Sequence, residues 1–174
     1  MAEQQVGRFE QLVLPHLDDA YTLARYLLRD EHDAQDAVQE AALRAVRHFD
    51  GFRHGDPRAW LLTIVRNCCY SWHKSHRRDR MSVSITDDAT EEIADPHSAD
   101  DLAVEDSERA RVQAAVDKLP SELREVLVLR ELNELSYREI SEVVGAPIGT
   151  VMSRLSRARD RLAVALGDDA RKAG

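Results

Sequence analysis

The sequence predicts an all-α protein in which two small helical domains are joined by an acidic, flexible linker. Three observations carry this. The composition is helical: 5% of the 174 residues are aromatic, Gly and Pro number only 7 and 5, and Ala, Leu, Arg, Glu and Val dominate. An all-β chain needs more turn residues and aromatics. Apolar residues recur at i, i+3, i+4 and i+7 along most of the chain. Charge is also partitioned. The chain carries 24 basic and 32 acidic side chains, net −8, yet residues 1–80 hold 12 of each and residues 110–174 hold 11 basic and 10 acidic. The excess lies in residues 81–109, which hold 10 acids and 1 base and few large apolar side chains. Such a stretch cannot bury a core and reads as a linker. The expected organisation is a first domain over 1–80, a linker over 81–109, a second domain over 110–167 and a short tail over 168–174.

Several function classes are excluded at this level. No apolar run approaches the roughly 20 residues needed to cross a bilayer. The start, MAEQQVGRFE, lacks the basic and apolar pattern of a secretion signal. Cys68 and Cys69 are adjacent, roughly 100° apart on a helix, which is poor geometry for an internal disulfide. A cytoplasmic location follows as the expectation. There is no Gly-rich phosphate loop, H-E-x-x-H or G-x-S-x-G. We therefore expect no enzyme, no catalytic residues and no cofactor.

In the first domain, Phe9, Leu12, Val13, Leu17, Ala20, Leu23, Ala24, Leu27 and Leu28 mark helical structure with a local interruption at Pro15. A second helix starts near Asp33, with Ala34, Ala37, Val38, Ala41, Ala45, Val46 and Phe49 as its apolar positions. Asp36, Gln39 and Glu40 lie three and four residues apart and form one polar patch on its other face. DGFRHGDP, residues 50–57, breaks the helix. A third helix follows with Pro57 near its start. Its apolar stripe is Trp60, Leu61, Ile64, Val65, Cys68 and Trp72; Thr63, Arg66, Asn67, Tyr70, Lys74 and Arg77 lie opposite. Cations interleaved with an aromatic suit a nucleic-acid strand, because cations meet phosphates and rings stack on unpaired bases.

In the second domain, Val112, Ala115, Val116 and Leu119 form one helical stripe, and Leu119-Pro120 separates it from a helix bearing Leu123, Val126, Leu127 and Leu129. LSYREISEVVGAPIGTVMSRLSRARDRL, residues 135–162, is the most informative stretch. Ser136 and Glu139 have capping-box spacing, with Leu135 and Ile140 at staple positions. Gly145 suits the left-handed residue that ends a helix. Pro147 begins the next helix, with Val151, Leu155, Ala158 and Leu162 inward and Thr150, Ser153, Arg154 and Arg157 outward. Two short helices around a glycine turn, the second basic outside, match a DNA-reading helix-turn-helix. Two basic patches, one per domain, suit a polyanion touched twice.

At this point the chain resembles a sigma factor of the sigma-70 family, specifically the extracytoplasmic-function class. DAQDAVQE (33–40) is similar to the polymerase-binding helix of that family, and DPRAWLLTIVRN (56–67) to its promoter-melting helix. LPSELREVLVLREL (119–132) resembles the start of its second domain, and LSYREISEVVGAPIGTVMSRLSRAR (135–159) its helix-turn-helix. The resemblance implies that the first domain binds the β′ clamp helices of RNA polymerase core through Asp36, Gln39 and Glu40. It implies minus-10 promoter contacts at Phe52, Arg53, His54, Arg66, Asn67, Tyr70, Lys74 and Arg77. It implies minus-35 contacts at Thr150, Ser153, Arg154 and Arg157, with the second domain packed on the β flap. An anti-sigma protein as regulator, and a monomer outside its complexes, are likewise implied. Met152 departs from the pattern, since the family often carries a basic residue there.

Two other readings compete. One is a DNA-binding regulator that never meets polymerase, which leaves the Asp36/Gln39/Glu40 patch unexplained. The other is a metal site at Cys69, His73 and His76, spaced i, i+4 and i+7 on one helix face, which lacks the fourth ligand that structural zinc takes; no metal is expected.

Overall fold

The computed structural model describes residues 2–83 and 104–172, and eight α-helices account for most of them. The first domain contains α1 (Ala2–Leu12), α2 (Leu17–Leu28), α3 (Glu31–His48) and α4 (Pro57–Val83). The second contains α5 (Val104–Asp117), α6 (Ser121–Glu131), α7 (Tyr137–Val144) and α8 (Ile148–Lys172). Most of the linker, with its carboxylates Asp87, Asp88, Glu91 and Glu92, lies outside the described residues. α4 reaches into the start of the expected linker and α5 begins before its end. α8 likewise continues into the expected tail.

Local chemistry accounts for the breaks. Pro15 sits in a short 3-10 turn, Leu14–His16, so the first helical stretch divides into α1 and α2. α2 ends at Arg29, which takes a left-handed φ of 58°. Asp30 caps α3 by accepting a hydrogen bond from the Asp33 backbone N–H at 2.9 Å. Asp56 does the same for α4, accepting from the Arg58 N–H at 3.1 Å. α3 packs through Ala34, Ala37, Ala41 and Ala45. Their small side chains let α3 lie close to α2 and α4, and they leave Leu43 and Val46 outside, 52% and 57% exposed. Val46 is therefore not a core residue, contrary to its spacing.

The two domains do not stand apart as tethered units. One buried cluster runs from Val13, Leu23, Leu61, Leu62 and Val65 of the first domain to Val126, Leu129, Leu135, Ile140, Val151 and Leu155 of the second. α6 packs on α2, and α7 packs on α4. Every residue of α6 from Leu123 to Leu129 is buried, including Arg124 and Glu125. Asp19 on α2 ties three elements together. Its carboxylate meets Arg58 at 2.8 Å, and it accepts from the Asn133 amide at its carbonyl (3.1 Å) and at its carboxylate (3.2 Å). Burying this much apolar surface contributes about 25 cal/mol per Å² removed from water, which outweighs the modest net worth of the polar contacts.

Candidate nucleic-acid interface

The helix-turn-helix is built as its sequence indicates. Ser136 Oγ accepts from the Glu139 N–H at 3.2 Å, and the Glu139 carboxylate accepts from the Ser136 N–H at 2.6 Å. These bonds, above all the one from the Ser136 backbone, hold the Glu139 carboxyl below its usual range. Leu135 and Ile140 are fully buried beneath the cap. α7 ends at Gly145 with φ 67°, the left-handed geometry that favours glycine. α8 begins at Ile148, one residue later than Pro147 suggests. Val151, Leu155 and Ala158 point inward and seat α8 on α6 and α7.

On the outer surface of α8, Ser153 and Arg157 are exposed and Thr150 is half-buried. Ser153 Oγ donates to the Thr150 carbonyl at 3.0 Å, and Arg157 Nε donates to the Ser153 carbonyl at 3.4 Å. Arg154 differs from the outward placement: its side chain is 17% exposed and lies 3.6 Å from Glu122 of α6. One helical turn of 3.6 residues explains it, since Arg154 falls between Ser153 and the buried Leu155. Ile148 and Met152 of α8 are also exposed, at 44% and 51%, away from the face that carries Arg157. Sequence reasoning singled out Met152 only as a missing base, and Ile148 not at all.

In the first domain the candidate residues separate into three environments. Arg53, His54, Asn67, Lys74 and Arg77 are exposed. Phe52 is not: it is buried, stacked on Phe49 and 4.9 Å from Trp60 between ring centroids. A loop of polar residues around it suggested exposure, but Phe9, Phe49, Phe52 and Trp60 together close the end of the bundle. Phe52 therefore supports the loop rather than facing a strand. Arg66 and Tyr70 are turned toward α6. Arg66 donates from Nε and Nη2 to the two Glu125 oxygens at 2.7 and 3.1 Å, and Tyr70 donates its hydroxyl to Glu125 at 3.1 Å. The Arg66 guanidinium also lies 4.6 Å from the Tyr70 ring centroid. Burial beside the Glu125 carboxylate pushes the Tyr70 phenol up to about 12.

The polar patch on α3 is accessible. Asp36 and Gln39 are exposed, and Glu40 pairs with Arg44 at 2.7 Å. Leu43 and Val46 extend the same surface at i+4 and i+7 from Gln39, so the patch is mixed polar and apolar. Beside it runs a groove of ≈370 Å³ between α3 and α4, lined by Asp36, Glu40, Arg44, Cys68, Trp72 and His76, among others. Cys69, His73 and His76 do not converge. Cys69 is fully buried and its thiol is pushed up to about 12 by burial. His73 Nε2 bonds the Leu27 carbonyl at 2.9 Å, and His76 stacks on Trp72 at 3.5 Å. No His, Cys, Asp and Glu cluster fit for a metal occurs among the described residues. No described helix is long and apolar enough to cross a membrane.

Comparison with known proteins agrees with this geometry. Residues 12–79 match the family model for sigma-70 region 2, and residues 109–162 match that for sigma-70 region 4. The chain is 33% identical to the ECF RNA polymerase sigma factor SigE of Mycolicibacterium smegmatis over 88% of its own length and 60% of that protein's. It is 32% identical to the RNA polymerase sigma-H factor of Pseudomonas aeruginosa over 91% of its own length and 86% of that protein's. The sigma factor RpoE of Bartonella quintana, solved in complex with the anti-sigma factor NepR, superposes with a TM-score of 0.73 at 29% identity, covering 92% of this chain and 97% of that one. The chain spans less than two thirds of the first of these relatives and most of the other two. Two family regions in order, and a capped helix-turn-helix packed on the helix that carries the basic aromatic face, place this chain in the sigma-70 family, as an extracytoplasmic-function RNA polymerase sigma factor.

Proposed function

We propose that this chain is a transcription initiation factor that binds RNA polymerase core and directs it to promoters with two spaced elements. The helix-turn-helix carries the reading: a capping box, a left-handed Gly145 and an exposed Arg157 present α8 as a major-groove helix. In this reading Thr150, Ser153 and Arg157 meet the minus-35 element, and Arg154 reaches it after leaving Glu122. Arg53, His54, Asn67, Lys74 and Arg77 meet the minus-10 element and help open it, joined by Arg66 and Tyr70. Asp36, Gln39 and Glu40, together with Leu43 and Val46, form the surface for the β′ clamp helices. The β flap receives the second domain. The similarity to Bartonella RpoE, which was solved bound to the anti-sigma factor NepR, supports a regulator of that kind here.

Changing Asp36 and Gln39 to Ala tests the assignment. Affinity for purified core polymerase should fall about tenfold, as for loss of a central interface contact, while DNA binding by the full chain is retained. Unchanged polymerase affinity would favour the regulator that never meets polymerase.

A further inference from the structure

The loop that carries Arg53 and His54 is anchored differently at its two ends. Its far end belongs to α4, where the Asp56 carboxylate accepts from the Arg58 and Ala59 N–H groups at 3.1 and 3.4 Å. Its near end, the 3-10 turn Phe49–Gly51, is held by α1. Gln5 Nε2 donates to the Asp50 carboxylate at 2.6 Å. Phe9 meets the Phe49 ring edge-on at 5.3 Å, and the Arg8 guanidinium lies 5.5 Å from the centroid of the same ring. Phe49 in turn carries Phe52, through ring stacking at 6.1 Å and through its carbonyl, which accepts from the Phe52 N–H at 2.9 Å. Arg53 and His54 follow directly in the chain. Among the described residues, their side chains make no hydrogen bond or ion pair, so the loop backbone sets where they stand. Gly55, at φ 117°, adds a joint that no side chain stiffens.

We propose that α1 is the positioning element of this loop, with Gln5 as its positioning residue, so that base discrimination at the minus-10 element depends on a side chain that acts through Asp50 and not on the strand. This rests on the reading that Arg53 and His54 meet the minus-10 element. Two further observations support it. α1 adds little to the core: Phe9 and Leu12 are only half-buried and Val6 is 57% exposed, so its firm contacts are those to the turn at Phe49 and Asp50. α1 also lies ahead of residue 12, where the match to sigma-70 region 2 begins, so its support of the loop is a feature of this chain and not of the matched region. The physical reason is preorganisation. A loop ordered before the strand arrives loses less conformational entropy on binding. A side chain held in one place also separates right from wrong bases better than one that can shift to suit either.

Gln5→Ala tests this, because Gln5 is exposed and its loss removes one hydrogen bond without opening the core. The first readout is the loop itself, by backbone NMR relaxation on the full chain. Order parameters at Arg53 and His54 should fall from the rigid level of roughly 0.85 toward the flexible level of about 0.6. Those at Arg58 and Ala59, capped by Asp56, should stay where they are. The second readout is transcription by the chain with core polymerase, on one promoter and its single-base variants at the minus-10 and minus-35 elements. Discrimination against minus-10 changes should shrink about fivefold, the scale of one net hydrogen bond, while discrimination at minus-35 is kept. Asp50→Ala should act alike, and the two changes together should reduce discrimination no further than either alone. Unchanged order parameters overturn the proposal, and so does minus-10 discrimination that stays at the wild-type level. An equal loss on every promoter, minus-35 variants included, also overturns it, since Gln5 would then only support the domain. A chain that programs no starts with core removes the sigma reading, and the order parameters still decide whether α1 holds the loop.

Discussion

Gly145 and Gly149 flank the turn of the helix-turn-helix, and the same added methyl group should act with opposite sign at the two. At neither glycine would a Cβ meet any atom within 4 Å, so packing does not enter. What differs is the backbone. Gly145 has φ 67°, where an L-residue is strained by about 1–2 kcal/mol. Alanine also restricts the unfolded chain, which offsets about 0.4–1 kcal/mol of that strain. The net expectation for Gly145→Ala is a loss of about 1 kcal/mol. Gly149 lies in the first turn of α8 without a positive φ, and Gly149→Ala should gain about 0.5 kcal/mol from helix propensity. Urea unfolding of the full chain measures both. With a slope of about 2 kcal/mol/M, the midpoint should fall by roughly 0.5 M for Gly145→Ala and rise by roughly 0.25 M for Gly149→Ala. Gly145→Asn should fall between wild type and Gly145→Ala, since asparagine tolerates the left-handed region. Shifts of the same sign at both glycines would sink this prediction, because the φ difference would then carry no energetic weight.

Further outcomes follow from the same geometry. Ser136→Ala should lower stability by about 1 kcal/mol through loss of the cap on α7; a change near zero in the urea midpoint would mean that α7 does not depend on it. The lowered Glu139 carboxyl stabilises the fold above its ordinary value of 4.5, and that contribution is lost as pH falls through the lower folded value. The stability gap between wild type and Glu139→Ala should therefore close between neutral pH and strong acid, and a gap that widens in acid would contradict the capping role. Arg157→Ala should weaken promoter-duplex binding and reduce the magnitude of the salt slope by about 1 if its partner is a phosphate; an unchanged slope with relaxed sequence preference would assign it to a base edge instead. Burial pushes up both the Cys68 and Cys69 thiols, so neither should react with a thiol reagent at pH 8 until the chain unfolds; rapid reaction of the folded chain would place one of them at the surface.

Features held within one helix and its caps were legible in the sequence. Ser136, Glu139 and Gly145 state their roles through spacing alone, and Val151, Leu155 and Ala158 lie inward as their period requires. The packing of the two domains was not legible. Its polar contacts are made by Arg66, Tyr70, Glu125, Asn133 and Asp19, which in a linear sequence look like solvated residues. A hydrophobicity pattern cannot say that Arg124 and Glu125 are buried, because each is charged and its burial depends on partners the pattern does not show: Arg66 and Tyr70 of the first domain for Glu125, and the Leu119, Asp117 and Tyr26 carbonyls for Arg124. Phe52 misled for a related reason. Its immediate neighbours in sequence are Gly51 and Arg53, while the rings it packs on, Phe49 and Trp60, come from the turn that follows α3 and from α4. On α3 the alanines pack and the larger Leu43 and Val46 remain outside, since close helix contact selects small residues rather than the most hydrophobic ones. The candidate residues on exposed surfaces, Asp36, Gln39, Asn67, Lys74, Arg77 and Arg157, are exposed as their helical spacing predicts.

The decisive measurement is run-off transcription. Purified chain, bacterial core polymerase and a pooled library of genomic promoter fragments are combined, with core alone as the reference. Discrete transcript starts should appear only when the chain is added, and they should share two spaced upstream elements. A chain that binds DNA but never programs core to start at defined sites would contradict its role as an initiation factor.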